Sequence, residues 1–258
     1  MSLTRWKLII EYDGSCFNGW QRQAGLPTIQ QSVEEAIYGF CQQRVSLHVA
    51  GRTDSGVHAY GQVAHFDLDY GERLLTEFNL GKALNAHLRD VPISILQAKK
   101  VSVDFHARFN AVNKQYCYKI LNRPSEPALD RGRVWYVKQT LETDAMREAA
   151  VYLTGHHDFT TFRDSECQAK SPVRTLDKVD IIEKDYDICG GKLISFFFES
   201  RSFLHHQVRN MVGTLVLVGE GKWKSDNVKS ALEARDRAKG GITAPAQGLY
   251  LMRVDYPS

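Results

Sequence analysis

The sequence predicts an α+β protein of two ferredoxin-like (βαββαβ, RRM-like) halves, built mostly on antiparallel sheets. Three observations carry this. Strand-like and helix-like stretches follow one another in the order βαββαβ from Trp6 to Val101. The same order returns from Lys114 to Tyr256, with one extra helix. A chain of 258 residues is long enough for two domains of ordinary size, each with its own core. This motif is also the scaffold of RNA-recognition modules.

The first half opens on "WKLIIEYD", a strand. "TIQQSVEEAIYGFCQQR" is a helix: Thr28 and Gln31 have capping-box spacing, and Ile29, Val33, Ile37 and Phe40 line one face. "VSLHV" (Val45 to Val49) and "QVAHFDL" (Gln62 to Leu68) are short β-branched and apolar runs that read as strands. A helix from about Leu74 to Leu88 turns Leu74, Phe78, Leu84 and Leu88 inward, and "ISILQAKKV" closes the half. In the second half "KQYCYKIL" is a strand, a helix follows Thr143 and stops near Gly155, and "VRTLDKVDII" and "LISFFFES" are the middle strands. "SFLHHQVRNMVGTLVLVG" is the next helix, a short one capped by Ser225 follows, and "GLYLMRVDY" is the last strand. The expected domains are residues 1–108 and 109–258. No low-complexity linker divides them, so a tight interface with a cleft is expected.

Composition excludes several classes. The chain is 43% hydrophobic and 24% charged, as in globular proteins that fold in water, and no apolar run approaches the ~20 residues of a membrane span. "MSLTRWKLIIEYDG" enters a strand pattern at once, without a signal-peptide core, which points to the cytoplasm. Five scattered cysteines, with no C-x-x-C pair, argue against both a disulfide framework and a zinc site. No Walker loop, G-x-G-x-x-G or G-x-S-x-G run is present, so nucleotide cofactors and serine hydrolysis are disfavoured. Net charge is only +3, yet Ala98 to Thr140 holds nine Lys or Arg against three acids, +6 locally. That is either a phosphate-backbone footprint or a solvated face.

Four places could carry chemistry. "AGRTDSGVHA" (Ala50 to Ala59) holds Arg52, Asp54 and His58 around Gly51 and Gly56, far more than a hairpin requires. It is either a self-capped turn or a loop that presents a carboxylate. Tyr116 and Tyr118 face the same way on one strand, as core or as a platform for a base. Arg209 lies inside an apolar helix and needs a counter-charge, local or across the cleft. His205 and His206 are adjacent on that helix and lack i, i+4 metal spacing; His156, His157 and Asp158 have no recognisable third ligand. No metal is expected.

Taken together, "AGRTDSGVHAYGQVAHF", "EYDGSCFNGWQRQ", "VDFHARF", "YCY", "HDFTTF", "FLHHQVRNMVGTLVLVG" and "AQGLYL" resemble the tRNA pseudouridine synthase A family, in order, from residue 11 to 251. The resemblance implies a cofactor-free homodimeric isomerase with its site in the cleft between the halves. Its substrate would be tRNA, at uridines 38, 39 and 40 of the anticodon stem-loop. It implies that Asp54 is the essential aspartate and that Tyr116 stacks on the target base. Arg209 would pair with the aspartate, Leu249 would pack in the pocket, and Arg52 would take the place of the extruded base. Gln207, where an apolar residue is usual, and Cys117, where a basic one is frequent, are small departures. The alternative is a catalytically silent RNA-binding protein on the same scaffold, which would have no need of a nucleophile. A metal-dependent hydrolase using the histidines is a further alternative.

Overall fold

The computed structural model describes residues 3–69 and 75–257, and the chain divides into two compact units. Unit 1 comprises Met1–Val112 and Leu251–Ser258; unit 2 is Asn113–Tyr250.

Unit 1 runs β1 (Leu3–Tyr12), α1 (Ile29–Cys41), β2 (His48–Val49), β3 (His58–Asp69), α2 (Glu77–His87) and β4 (Ile93–Val101). Its antiparallel sheet has the order β4-β1-β3, with β2 on the outer part of β3, the arrangement a βαββαβ chain gives. Alternation along β1 buries Trp6, Leu8, Ile10 and Tyr12 on one face. Burial of such side chains is the main favourable term in folding. The pairing of β1 with β3 shifts register between Ile10 and Tyr12, at the end that feeds the Arg52–Asp54 loop.

In α1, Ile29, Val33, Ala36 and Ile37 are buried and Phe40 is only partly covered. Thr28 Oγ1 accepts from the Gln31 N–H at 3.4 Å, but the Gln31 side chain donates to Glu35 instead of reaching back. Half of the expected capping box forms. In α2, Thr76 caps the first turn and Leu80 and Leu84 point inward, followed by Leu88. Phe78 is 76% exposed, against expectation, because it lies two residues from Leu80 and so on the opposite side of the helix. Leu74 lies outside the described residues. Asn85 anchors α2 to the sheet by donating to Ile95 O and accepting from Ile95 N–H.

Unit 2 runs β5 (Asn113–Asn122), β6 (Trp135–Val137), α3 (Thr143–Ala150), β7 (Gly155–Asp158), β8 (Val173–Leu176), β9 (Lys178–Asp185), β10 (Lys192–Ser200), α4 (Gln207–Gly219) and α5 (Ser225–Ala234). The order β5-β10-β9 is antiparallel, with β6 parallel to β5, while β7 and β8 form a separate ribbon. "VRTLDKVDII" is therefore two strands, broken at Asp177, and β6 and β7 are too short to show in the sequence pattern. The last strand, β11 (Leu249–Asp255), begins in unit 2 and ends in unit 1. Both units keep the mixed α+β pattern expected of them. Unit 1 keeps the βαββαβ order, whereas the second unit ends at Tyr250 and most of the strand expected to close it, β11, belongs to unit 1, unlike the expected division into residues 1–108 and 109–258.

Two helix starts differ from expectation. Helix α4 begins at Gln207, because His206 adopts a left-handed conformation (φ 60°) that no continuing helix tolerates. Ser225 is the first residue of α5; the Asn227 side chain caps that end by accepting from the Lys224 N–H at 2.7 Å. Among the described residues, no helix is long and apolar enough to cross a membrane.

Unit 1 also buries a histidine. His65 is 2% exposed, its ring 5.0 Å from His48 and 4.7 Å from His106, and its Nδ1 accepts from the Ala107 N–H at 3.1 Å. Lys7 and His48 are its cross-strand partners. Burial first, then His106, His48 and Arg5, push its pKa down to about 4, with Asp67 opposing. Between about pH 6.5 and 4 the unfolded chain therefore binds a proton that folded His65 refuses, so stability rises with pH across that window. Thermal unfolding of His65→Gln between pH 4 and 7 should show a shallower loss on acidification than the wild type. An equal slope in the two proteins would remove His65 from the acid response.

Candidate functional site

The loop after β2 is built by its neighbours. Val57 N–H donates to Asp54 O at 3.2 Å, and Gly56, at φ +76°, takes the third position of the resulting turn. A turn with positive φ at that position favours glycine, so Gly56 lets Asp54 stand at the first corner. Asp54 is half-buried and Arg52 exposed, while Thr53 between them is buried. His58, expected in the loop, is the first residue of β3 and is buried, its Nδ1 accepting from the Gly14 N–H at 3.1 Å.

The segment from Tyr12 to Trp20 forms the buttress. Trp20 N–H donates to Thr53 O at 3.0 Å, and Ser55 Oγ donates to Phe17 O at 3.2 Å. Gly19 has φ +82°, and a Cβ there would lie 2.7 Å from Thr53 O. Gly19 O and Trp20 O in turn accept from the first N–H groups of α1, Ile29 and Gln30. One stretch thus supports the loop on one side and caps a helix on the other. Behind the loop the Tyr12 hydroxyl lies 2.8 Å from Thr53 Oγ1, and Gln62 Nε2 donates to Gly51 O at 2.8 Å. Burial, with a smaller contribution from the Asp54 charge, pushes the Tyr12 phenol up to about 12 against the hydrogen bonds from Thr53 and Gln62, so it is neutral near pH 7.

In unit 2, Tyr116 and Tyr118 do share a face of β5, and both are buried. The Tyr116 ring meets Phe203 edge-on, centroids 5.0 Å apart at 84°. Tyr118 donates to Pro245 O at 2.7 Å; burial raises its phenol well above the usual range, with Arg209 opposing. Lys114 is only 9% exposed, so it does not belong to a solvated basic face. Cys117 is buried as well, its thiol pushed up to about 11 by that burial.

Arg209 projects from α4, and its Nε donates to Ala244 O at 2.8 Å while Ala244 N–H donates back to Arg209 O. The next residue, Asn210, is 1% exposed and fully engaged: Nδ2 donates to Phe162 O, and Oδ1 accepts from Arg237 and from Thr243. Thr243, Ala244 and Pro245 are therefore clasped in turn by Asn210, Arg209 and Tyr118. That strip leads directly into Leu249, which is 6% exposed. Before α4, His206 Nδ1 lies 2.6 Å from Asp164, and the rings of His205 and His206 are 4.0 Å apart. Burial alone would raise the Asp164 carboxyl; the Glu166 N–H and then His206 outweigh it and hold it low.

A family model described as tRNA pseudouridine synthase matches residues 8–110 and 149–257 of this chain. The chain belongs to the tRNA pseudouridine synthase family. The relatives called tRNA pseudouridine synthase A are close. Those from Rhodospirillum rubrum and Paramagnetospirillum magneticum are each 52% identical, covering 99% and 98% of this chain and 88% and 96% of their own length. That from Caulobacter vibrioides is 52% identical over 98% of this chain and 99% of its own. The match begins at Leu8 and so takes in the buttress, the Asp54 loop and, in unit 2, α4 and Leu249.

Reading the sequence residue by residue missed the partners that hold the site: Tyr12, Thr53, Gln62, Phe203 and Asn210. A signal existed for one. Gln62 is a lone long amide among small and apolar strand residues. The left-handed Gly19 supplies a test: Gly19→Ala should lose about 1–3 kcal/mol in urea unfolding, from backbone strain, and displace Thr53. Unfolding that matches the wild type would show that the loop does not depend on this approach.

Proposed function

We propose that this enzyme isomerises uridine to pseudouridine at positions 38, 39 and 40 of the tRNA anticodon stem-loop, as a cytoplasmic homodimer without cofactor, with Asp54 as its catalytic carboxylate. Family membership carries the reaction class, and the observation that carries the residue is Asp54 at the corner of a turn held at Gly51, Thr53, Ser55 and Gly56 by Gln62, Tyr12, Trp20 and Phe17. The reaction breaks the N1–C1′ bond, rotates the uracil and joins C5 to C1′; the C5 hydrogen leaves and N1 gains one. An ionised Asp54 acts either as nucleophile or as the base that removes a sugar proton.

The target base must leave its helix, at a cost of a few kcal/mol in lost stacking. Tyr116 offsets part of that by stacking, and exposed Arg52 fills the vacated place. Arg209 supplies the positive charge that keeps the carboxylate ionised. Leu249 packs against the base as an apolar wall. The basic bias of the segment from Ala98 to Thr140, with Arg131 and Arg133 in it, supports a phosphate-rich partner.

Asp54→Asn should abolish turnover yet keep tRNA affinity within about tenfold, ~1.4 kcal/mol. Mapping pseudouridine in unmodified tRNA transcripts reads both the activity and the positions. Residual turnover above ~1% of wild type would remove Asp54 from the chemistry. Turnover should also survive a chelator; loss of activity on metal removal would favour a hydrolase-like metal site instead.

Tyr116→Ala should weaken stacking by roughly 1–3 kcal/mol, while Tyr116→Phe still stacks. Single-turnover rates distinguish the roles. A Phe variant that binds tRNA well but does not react would assign the hydroxyl to proton transfer.

A further inference from the structure

The buried polar side chains behind the loop form a chain with a direction. Gln62 is 0% exposed, and three contacts fix its amide: Nε2 donates to Gly51 O, Oε1 accepts from the Val63 N–H at 3.2 Å, and Nε2 also faces the Tyr12 hydroxyl at 3.4 Å. With the nitrogen side turned to Tyr12, the phenol oxygen can only accept from Gln62. Its own hydrogen is then left for Thr53 Oγ1, 2.8 Å away. Thr53 accepts, and its hydroxyl hydrogen becomes the last donor of the series, one residue from Asp54. A buried phenol hydrogen without an acceptor would be costly, and Thr53 Oγ1 is the acceptor within its reach, which favours this order.

We propose that Thr53, oriented by Tyr12 and Gln62, is a positioning residue that holds the Asp54 carboxylate in one reactive geometry. The device is wholly internal to unit 1. It grips the loop at Gly51 and Thr53, while Trp20 N–H holds the Thr53 carbonyl from the other side. Thr53 is thus fixed by both its side chain and its backbone, and little freedom is left to the next residue. The Thr53 hydroxyl also satisfies the buried Tyr12 phenol, a structural role that the melting temperature reads separately from kcat. A carboxylate that must meet a carbon of a flipped nucleotide requires such aim. The inference rests on Asp54 being the catalytic group.

Thr53→Val keeps the shape and removes the hydroxyl, Thr53→Ser keeps the hydroxyl, and Tyr12→Phe removes its donor while leaving the buried ring. Steady-state kinetics on tRNA, normalised to folded enzyme, should show kcat lowered roughly 10- to 100-fold in Thr53→Val and Tyr12→Phe. KM for tRNA should be unchanged, and Thr53→Ser should restore most of kcat. A purely structural role would instead lower the melting temperature and leave kcat per folded molecule as in the wild type; that result overturns the proposal. Equal loss in Thr53→Ser and Thr53→Val also overturns it, since the hydroxyl would then not matter. Asp54→Asn is run alongside. If it is inactive while Thr53→Val is fully active, only the positioning role fails; if Asp54→Asn turns over, the catalytic reading fails with it.

Discussion

The whole of the Asp54 loop depends on one constraint: a carboxylate has to be presented at a turn whose backbone polar groups still need partners. A turn that curls away from its sheet cannot satisfy them from the ladder, and leaving them buried and unpaired would cost more than the turn gains. The chain resolves this with the residues from Tyr12 to Trp20, which lend carbonyls and N–H groups to the loop while capping α1. The density of glycine and aromatic residues in that stretch follows from the task. Small residues allow the backbones to approach, and Phe17 and Trp20, each at most 5% exposed, seal the contact from water.

A comparable economy operates in unit 2. Helix α4 is buried on nearly every side, so each polar group it carries must be met from outside. Asn210 and Thr214 accomplish that with Phe162, Arg237, Thr243 and Gly241, and they fix the turns of α4 that follow Arg209. The Arg209 guanidinium carries its donors in a fixed planar fork, and the Ala244 carbonyl holds it at Nε. A lysine could not share its charge in this way.

Much of this could be read before the structure. Apolar and β-branched runs marked β1, β3, β5, β10 and β11, and such runs stay visible even where, as in β3, both faces are largely covered. The failures have physical causes. A large apolar Phe78 reads as core, but the inward face of α2 is set by Leu80, Leu84 and the following Leu88, and residue 78 lies across the helix from them. The sequence places His205 and His206 in the helix, because nothing in their side chains announces a left-handed backbone at His206. The roles proposed for Asp54, Tyr116, Arg209, Arg52 and Leu249 rest on resemblance; from the residues alone a self-capped turn, a core strand and a local ion pair stand beside them. The supporting hydrogen bonds link residues 41 and 50 positions apart in sequence, between Tyr12 and Thr53 and between Tyr12 and Gln62, and local pattern carries no trace of such pairs.

The path of the chain has a consequence for how the protein comes into being. Unit 2 is one uninterrupted stretch, Asn113–Tyr250, whereas unit 1 is made of the first 112 residues and the last eight. As synthesis proceeds from the N-terminus, the second unit can complete its contacts before the first has received its final strand. Of the two units, the one bearing Asp54 is therefore begun before the other and finished after it. Until residues from Leu251 onward emerge, one margin of its sheet beside β3 has backbone groups still awaiting a neighbour, and a nascent chain stalled there would expose an unpaired edge.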